Sequence, residues 1–280
     1  MELRRPPDAA QAVAALGNGS VALAGGTELV PLLRERIVDA STLVDVRGAV
    51  PKGVSGSEPQ TLIGAGTTLG ELEADAAIPD ALREACRLSA SPQLRAMGSI
   101  GGNLLQATRC WYWRLKFPCR LHGGDRCHAR EGQHREHAIF ANDFCASAHP
   151  SDPAAALLAL NATLRTTQRE LPLAELYRLP DEANRETTTL ASDELILELE
   201  VPRPDASVYL KAMDRARWSF ALVGVAAARF GEDVRIALAG VAPIPWLLGS
   251  LDDATPLPKN AYKLQLARTL VERARQAVAA

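Results

Sequence analysis

The stretch Val21-Ala22-Leu23-Ala24-Gly25-Gly26-Thr27-Glu28-Leu29 sets a short apolar run against two adjacent glycines and a polar pair. The run from Val21 to Ala24 reads as a strand, and Glu28 to Arg36 reads as an apolar-periodic segment after the turn. Glycines without a Cβ accept positive φ and let backbone N–H groups approach an anion closely; a helix start beyond them adds a favourable dipole. The pattern returns at Gly98-Ser99-Ile100-Gly101-Gly102-Asn103. Thr27, Ser99 and Asn103 bring hydroxyl and amide groups to the same two places. One such turn reads equally as an ordinary tight turn. Two of them point to an anion held between neighbouring lobes.

Outward from the first turn, Asp8 reads as an N-cap and Gly17 as a helix stop, and Thr42 to Val46 reads as the next strand of a small α/β lobe. Pro51 to Pro59, rich in Gly, Ser and Pro, reads as a connection to a second lobe. That lobe opens with a strand at Thr61 to Ala65 and a helical pattern over 79–96, and its pattern resumes at Ala154 to Leu164 after an irregular segment. A polar stretch at Asp181 to Thr189 precedes strands expected at 194–201, 208–213, 221–230 and 234–241 and a long amphipathic helix over 260–279. The fold class is α+β. The expected domains are 1–170, with lobes 1–53 and 54–170 and a cysteine-rich loop at 104–150, and 171–280. Gly-x4-Gly-Lys-Ser/Thr is absent, and Gly64-Ala65-Gly66-Thr67-Thr68-Leu69 lacks the third glycine of a dinucleotide fold, so neither a P-loop nor a Rossmann site is supported.

Four of five cysteines and all five histidines fall between positions 110 and 149. The spacing Cys110-x8-Cys119-x7-Cys127-x17-Cys145 lacks the paired C-x2–4-C knuckle of structural zinc sites. Four thiolates on an irregular loop suit an iron–sulfur cluster or zinc, and the spacing leaves both open against a third reading of buried free thiols. Arg109, Arg114, Lys116, Arg120, Arg126, Arg130 and Arg135 crowd the same stretch around Trp111-Tyr112-Trp113. Asp125, Glu131 and Glu136 dilute that charge, so a cluster shell or protein interface explains it better than single-stranded nucleic acid. Cys86, isolated in a helical stretch, reads as core.

Composition sets the limits. With 280 residues, 47% of them hydrophobic, the chain can bury two cores without disulfides, and 31 basic against 33 acidic side chains give no global field for nucleic acid or membrane. The opening MELRRPPDAAQAVAALGNGS holds no continuous apolar region, so no secretory signal is expected, and no stretch has the length of a membrane span. A cytoplasmic location is the expectation, with export alongside a signal-bearing partner to the periplasm as the alternative.

With both turns and the cysteine segment in view, the sequence resembles the FAD-binding subunits of the xanthine dehydrogenase and carbon monoxide dehydrogenase family over nearly its whole length. The resemblance rests on LAGGTELVPLL (23–33), GSIGGNL (98–104), SDPAAALLAL (151–160), DELILELEVP (193–202), YLKAMDR (209–215) and GVAPIPW (240–246). The cysteine insertion is similar to that of the branch containing periplasmic aldehyde oxidoreductase and 4-hydroxybenzoyl-CoA reductase, whose flavin subunits hold a [4Fe-4S] cluster. The resemblance implies a two-lobed FAD domain followed by a smaller α+β domain. It implies that Ala24, Gly25, Gly26, Thr27, Glu28 and Leu29 wrap the pyrophosphate, with Ser99, Gly101, Gly102 and Asn103 opposite. Asp152 would lie near the flavin's polar chain, Ile196 and Lys211 near its ring, and Cys110, Cys119, Cys127 and Cys145 would hold the cluster.

By the same resemblance, the chain passes electrons from a molybdopterin-bearing large subunit, through [2Fe-2S] centres on a small subunit, to FAD and an external acceptor. The basic stretch 109–135 could dock an acidic carrier such as ferredoxin. No residue of the chain is expected to act on the organic substrate. The sequence leaves two rivals open: a stand-alone flavin oxidase and a zinc-stabilised interaction protein.

Overall fold

The computed structural model describes residues 1–17, 19–56 and 59–279. In the first lobe β1 (Glu2–Arg4), β2 (Ser20–Leu23) and β3 (Thr42–Asp45) form a parallel sheet in the order β1-β3-β2. Parallel strands need crossover connections. Helices Ala9–Ala15 and Leu29–Arg34 supply them, and Asp8 caps the first by accepting the Gln11 N–H at 2.8 Å. The second crossover leaves β2 through the Gly25-Gly26 turn, which therefore lies at the carboxyl end of the sheet.

The second lobe is a sheet of five antiparallel strands: β4 (Val54–Ser55), β5 (Gln60–Gly64), β6 (Thr163–Thr166), β7 (Glu170–Pro172) and β8 (Ile196–Pro202), in the order β4-β5-β8-β6-β7. This departs from the expected boundary at 170/171, which would cut β7 and remove β8 from the middle of its own sheet. Alternating apolar residues show that a segment is a strand and which face it buries, but not which strand it pairs with. The polar stretch 181–189 is a loop within this lobe. The helix expected over 79–96 is two, Asp80–Leu88 and Pro92–Arg95, separated at Ala90 with φ +48°. Ser91 caps the second, and Pro92 opens it, where a missing N–H costs nothing.

The last part is an antiparallel meander of β9 (Ala206–Ala212), β10 (Val223–Phe230), β11 (Asp233–Ala239) and β12 (Trp246–Leu247), in the order β12-β11-β10-β9. Both faces are covered. Val223, Val225 and Ala227 point into a core shared with helix Tyr262–Ala279, while Ala226 and Ala228 point into the core of the second lobe. That alternation explains why β10 reads as one unbroken apolar run. Helix Asp152–Ala159, buried at every position, packs between β10 and β11 of the meander and the helices Asp80–Leu88 and Ile100–Leu104. The α+β class holds. Among the described residues no helix is long and apolar enough to cross a membrane.

The loop at 104–150 belongs to both domains. It leaves the second lobe at Leu104, yet Ile139 and Phe140 are buried in the meander's core, and both their N–H groups donate to the Val241 carbonyl, at 2.7 and 3.0 Å.

Candidate functional site

The two glycine turns stand back to back. A Cβ on Gly25 would fall 1.8 Å from the Met97 carbonyl oxygen, so only glycine lets the chain before the second turn pass behind the first. Gly26 adopts φ +72°, a left-handed conformation that glycine takes without strain. Among the described residues, none accepts a hydrogen bond from the N–H of Gly25, Gly26 or Thr27. The second turn differs. Ile100 N–H donates to Thr67 O (2.8 Å), Gly101 N–H to Ala65 O (3.0 Å) and Gly102 N–H to Ser99 Oγ (3.3 Å). The sequence points to one anion held between the two turns; the first turn offers free amides, and the second offers shape and side chains.

Between the turns lies a cavity of about 390 Å³. Ala24, Gly25, Gly26, Thr27, Glu28, Leu29, Ser99, Gly101, Gly102, Asn103 and Ile196 all line it, although they come from the two glycine turns and the start of β8. Leu69, Leu94 and Leu195 make much of its wall apolar. Among the lining residues that the sequence does not assign to this site are Arg109, which it places only in the basic stretch, and Phe220. The Arg109 guanidinium sits 5.0 Å from the Phe220 ring centroid and pairs with Glu28 at 2.5 Å, while Arg114 takes the other oxygen of the same carboxylate at 2.6 Å. Burial lowers the pKa of Arg109, opposed by the Glu28 carboxylate. Arg109 had one available signal, its place directly before Cys110.

Asp152 and Lys211 are not among the residues that line this cavity. The structure brings them together instead: Lys211 Nζ lies 2.7 Å from Asp152 Oδ2 and donates to Leu88 O at 2.9 Å, with both side chains almost wholly buried. Tyr209 donates its hydroxyl proton to Asp152 Oδ1 at 2.5 Å, and burial followed by that carboxylate drives the phenol's pKa well upward. Ser89 also reaches Asp152, and Ala90, its neighbour, lines the cavity. The pair stands one residue behind the wall. A buried lysine needs a counter-charge more than it needs a ligand, and the nearest one here is Asp152.

Cys110, Cys119, Cys127 and Cys145 line one small cavity, together with Tyr112, Trp113 and Ser147 among others. All are free thiols, as is Cys86, which is fully buried in helix Asp80–Leu88 far along the chain from this group. Hydrogen bonds converge on the sulfurs. The backbones of Ala129, Arg130 and Ala146 address Cys127, whose thiol is lowered to about 5 chiefly by Cys145 beside it. Burial raises Cys110 to about 11 despite the backbone of Trp113 and Tyr112. His137 Nε2 lies 3.3 Å from Cys110 Sγ, and Cys145 Sγ lies 3.3 Å from Ser147 Oγ. Among the described residues no three His, Cys, Asp or Glu side chains are grouped so as to hold a metal ion.

A further cavity, of about 460 Å³, joins these two regions: it shares Arg109 and Phe220 with the first and Cys110 with the second. The basic stretch is largely engaged within the chain. Arg120 donates to Asp143 O and Arg130 to Asn142 O, which orients these guanidinium groups without cancelling their charge, and Arg135 pairs with Asp214.

Residues 1–204 match the family described as the FAD binding domain in molybdopterin dehydrogenase. Over 281 aligned residues the chain is 33% identical to the aldehyde oxidoreductase FAD-binding subunit PaoB of Escherichia coli (strain K12), covering 89% of this chain and 88% of that protein. The chain belongs to the FAD-binding subunits of the molybdenum hydroxylases. A shorter match, 37% over 110 residues, covers 36% of this chain and 38% of the carbon monoxide dehydrogenase medium chain of Afipia carboxidovorans. The fold agrees with a solved carbon monoxide dehydrogenase chain from Hydrogenophaga pseudoflava, with a TM-score of 0.71 at 23% identity over 99% of this chain and 96% of that one. As a FAD-binding subunit, the protein is an oxidoreductase component. The cavity fits such a cofactor: free amides at Gly25, Gly26 and Thr27 suit a pyrophosphate, and apolar walls suit a flavin or adenine ring.

Proposed function

We propose that this chain is the electron-transferring subunit of a molybdenum-dependent hydroxylase for an aldehyde, aromatic or N-heterocyclic substrate. It binds FAD between the two glycine turns and a [4Fe-4S] cluster on Cys110, Cys119, Cys127 and Cys145. Its partners are a molybdopterin-bearing large subunit and a [2Fe-2S] small subunit, with an external acceptor such as ferredoxin. When bound, FAD supplies one- and two-electron redox chemistry and the cluster one-electron chemistry. The chain's own residues hold and insulate. The Gly25 to Thr27 amides bind phosphate oxygens, Ile196 and Leu195 keep water from the ring, and backbone N–H groups around Cys110, Cys127 and Cys145 stabilise thiolate charge.

The observation that carries the flavin half is that residues named from separate motifs meet in one cavity beside three unoccupied amides. Support for the cluster half is the convergence of four thiols, distant in sequence, on one cavity rich in donors to sulfur. Anaerobic purification followed by a visible spectrum and iron, sulfide, zinc and flavin analysis tests both halves. The reading expects flavin absorbance with iron and sulfide in equal amounts. Colourless, iron-free protein that cannot take up FAD would overturn it, zinc in place of iron would remove the cluster alone, and turnover of an organic substrate by the isolated chain would point to a stand-alone oxidase.

A further inference from the structure

Among the described residues lining the flavin cavity, Arg109 is the one lysine or arginine. It comes from the cysteine loop, directly before Cys110, and from neither glycine turn. Glu28 does not cancel its charge alone, because that carboxylate also pairs with Arg114; two guanidinium groups on one carboxylate leave an excess positive charge at the wall. Gln106 Oε1 accepts from Arg109 Nη2 at 2.8 Å, the Phe220 ring centroid lies 5.0 Å from the guanidinium carbon, and among the described residues the buried Nε–H has no hydrogen-bond partner. Lys211, the other cation sequence points to, is engaged by Asp152 behind the wall. The cavity thus holds a pre-oriented cation with donor capacity to spare.

We propose that Arg109 is the cationic contact for an anionic group of the bound flavin nucleotide, so that the cysteine loop completes the flavin site. This rests on the reading of the cavity as the FAD site. Two groups of the nucleotide share the required chemistry: the pyrophosphate, which is always anionic, and the carbonyl end of the ring, which gains negative charge on reduction. In either case the bond is charge-assisted, and Glu28 holds the guanidinium in place from the first glycine turn.

The test uses the full chain carrying Arg109→Gln or Arg109→Lys, titrated with FAD and with riboflavin by flavin fluorescence, and the midpoint potential of the bound flavin. If the pyrophosphate is the target, Arg109→Gln weakens FAD roughly ten-fold, leaves riboflavin unchanged, and Arg109→Lys recovers part of the loss. If the ring is the target, affinity for oxidised FAD holds while the potential of Arg109→Gln falls, and Arg109→Lys restores it. Unchanged affinity and potential in Arg109→Gln would overturn the proposal. So would equal weakening of FAD and riboflavin without a shift in potential, which marks a packing role. Wild-type protein that takes up no FAD would instead remove the functional reading on which the proposal stands.

Discussion

The flavin cavity and the cysteine cavity are neighbours built by opposite means. The first is made where regular elements end: β2 runs into one glycine turn, the other opens a helix, and β8 supplies Ile196 from its first residue. Its geometry is largely set by local backbone rules. The second is made by a loop with few regular elements, whose shape depends on bonds to distant chain. Asn260 donates to the carbonyls of His137 and Ala138, and Lys263, wholly buried, donates to the carbonyls of Glu136, His137 and Gly240. A site of the first kind is written in short motifs. A site of the second kind shows only its chemistry in the sequence, as residue types without a shape.

The comparison breaks most visibly at Gly25. Because a Cβ there would overlap the Met97 carbonyl, which is backbone and cannot swing aside, Gly25→Ala must push the two turns apart. We expect loss of FAD binding and a lower melting temperature. Gly48→Ala is the control, since a Cβ there would meet nothing within 4 Å and Gly48 lies outside the cavity lining. Flavin content and thermal unfolding of the two variants measure the difference. Equal FAD binding by Gly25→Ala and wild type would show that the close approach of the turns does not shape the cavity.

A smaller effect is expected behind the wall. Lys211→Met strands the Asp152 carboxylate in the core and should destabilise the fold by about 3–5 kcal/mol, as removal of one partner from a buried ion pair does. Adding Asp152→Asn should recover much of that loss, because the remaining amide carries no charge. Urea unfolding of the single and double variants gives the coupling. A Lys211→Met protein that unfolds like wild type but binds FAD poorly would return Lys211 to the flavin cavity, where the family resemblance put it.

What could be read in advance follows the same division. Strands β2, β3 and β5, the pair β10 and β11, and the final helix carry their own periodicity and appear within a few residues of where it puts them. The helix Leu69–Ala74 is too short to show periodicity, and its one signal is the capping box of Thr68 and Glu71 in Thr68-Leu69-Gly70-Glu71. Pairing was not legible: nothing local in DELILELEVP tells that β8 inserts between β5 and β6. Eleven of the residues named from motifs line one cavity, but much of its apolar wall, with Arg109 and Phe220, was not legible, since the approach of those two depends on the cysteine loop and the β9–β10 connection folding onto it. The four cysteines were legible as a set, but the hydrogen bonds on their sulfurs were not, because those come from backbone whose path the sequence does not reveal.

The smallest of the expected effects separates the two regions by pH. No histidine lines the flavin cavity among the described residues, whereas His137 and His149 are buried on the cysteine side. His149 accepts the Ser151 N–H at Nδ1 (3.4 Å), bonds the backbone of Leu104, and packs edge-on against Tyr177, and burial lowers it to about 3. His137 is lowered to about 4, again by burial first. Unfolded histidine titrates near 6.5, so between pH 6.5 and those depressed values only the unfolded chain takes up the protons. Stability from these groups is therefore complete above about pH 6.5 and declines as pH falls, by about 1.4 kcal/mol per pH unit for each histidine. His149→Gln should make the decline between pH 6 and pH 4 shallower by about that slope, read from urea unfolding at several pH values. An unchanged slope in His149→Gln would show that the histidine titrates in the folded chain as it does in water.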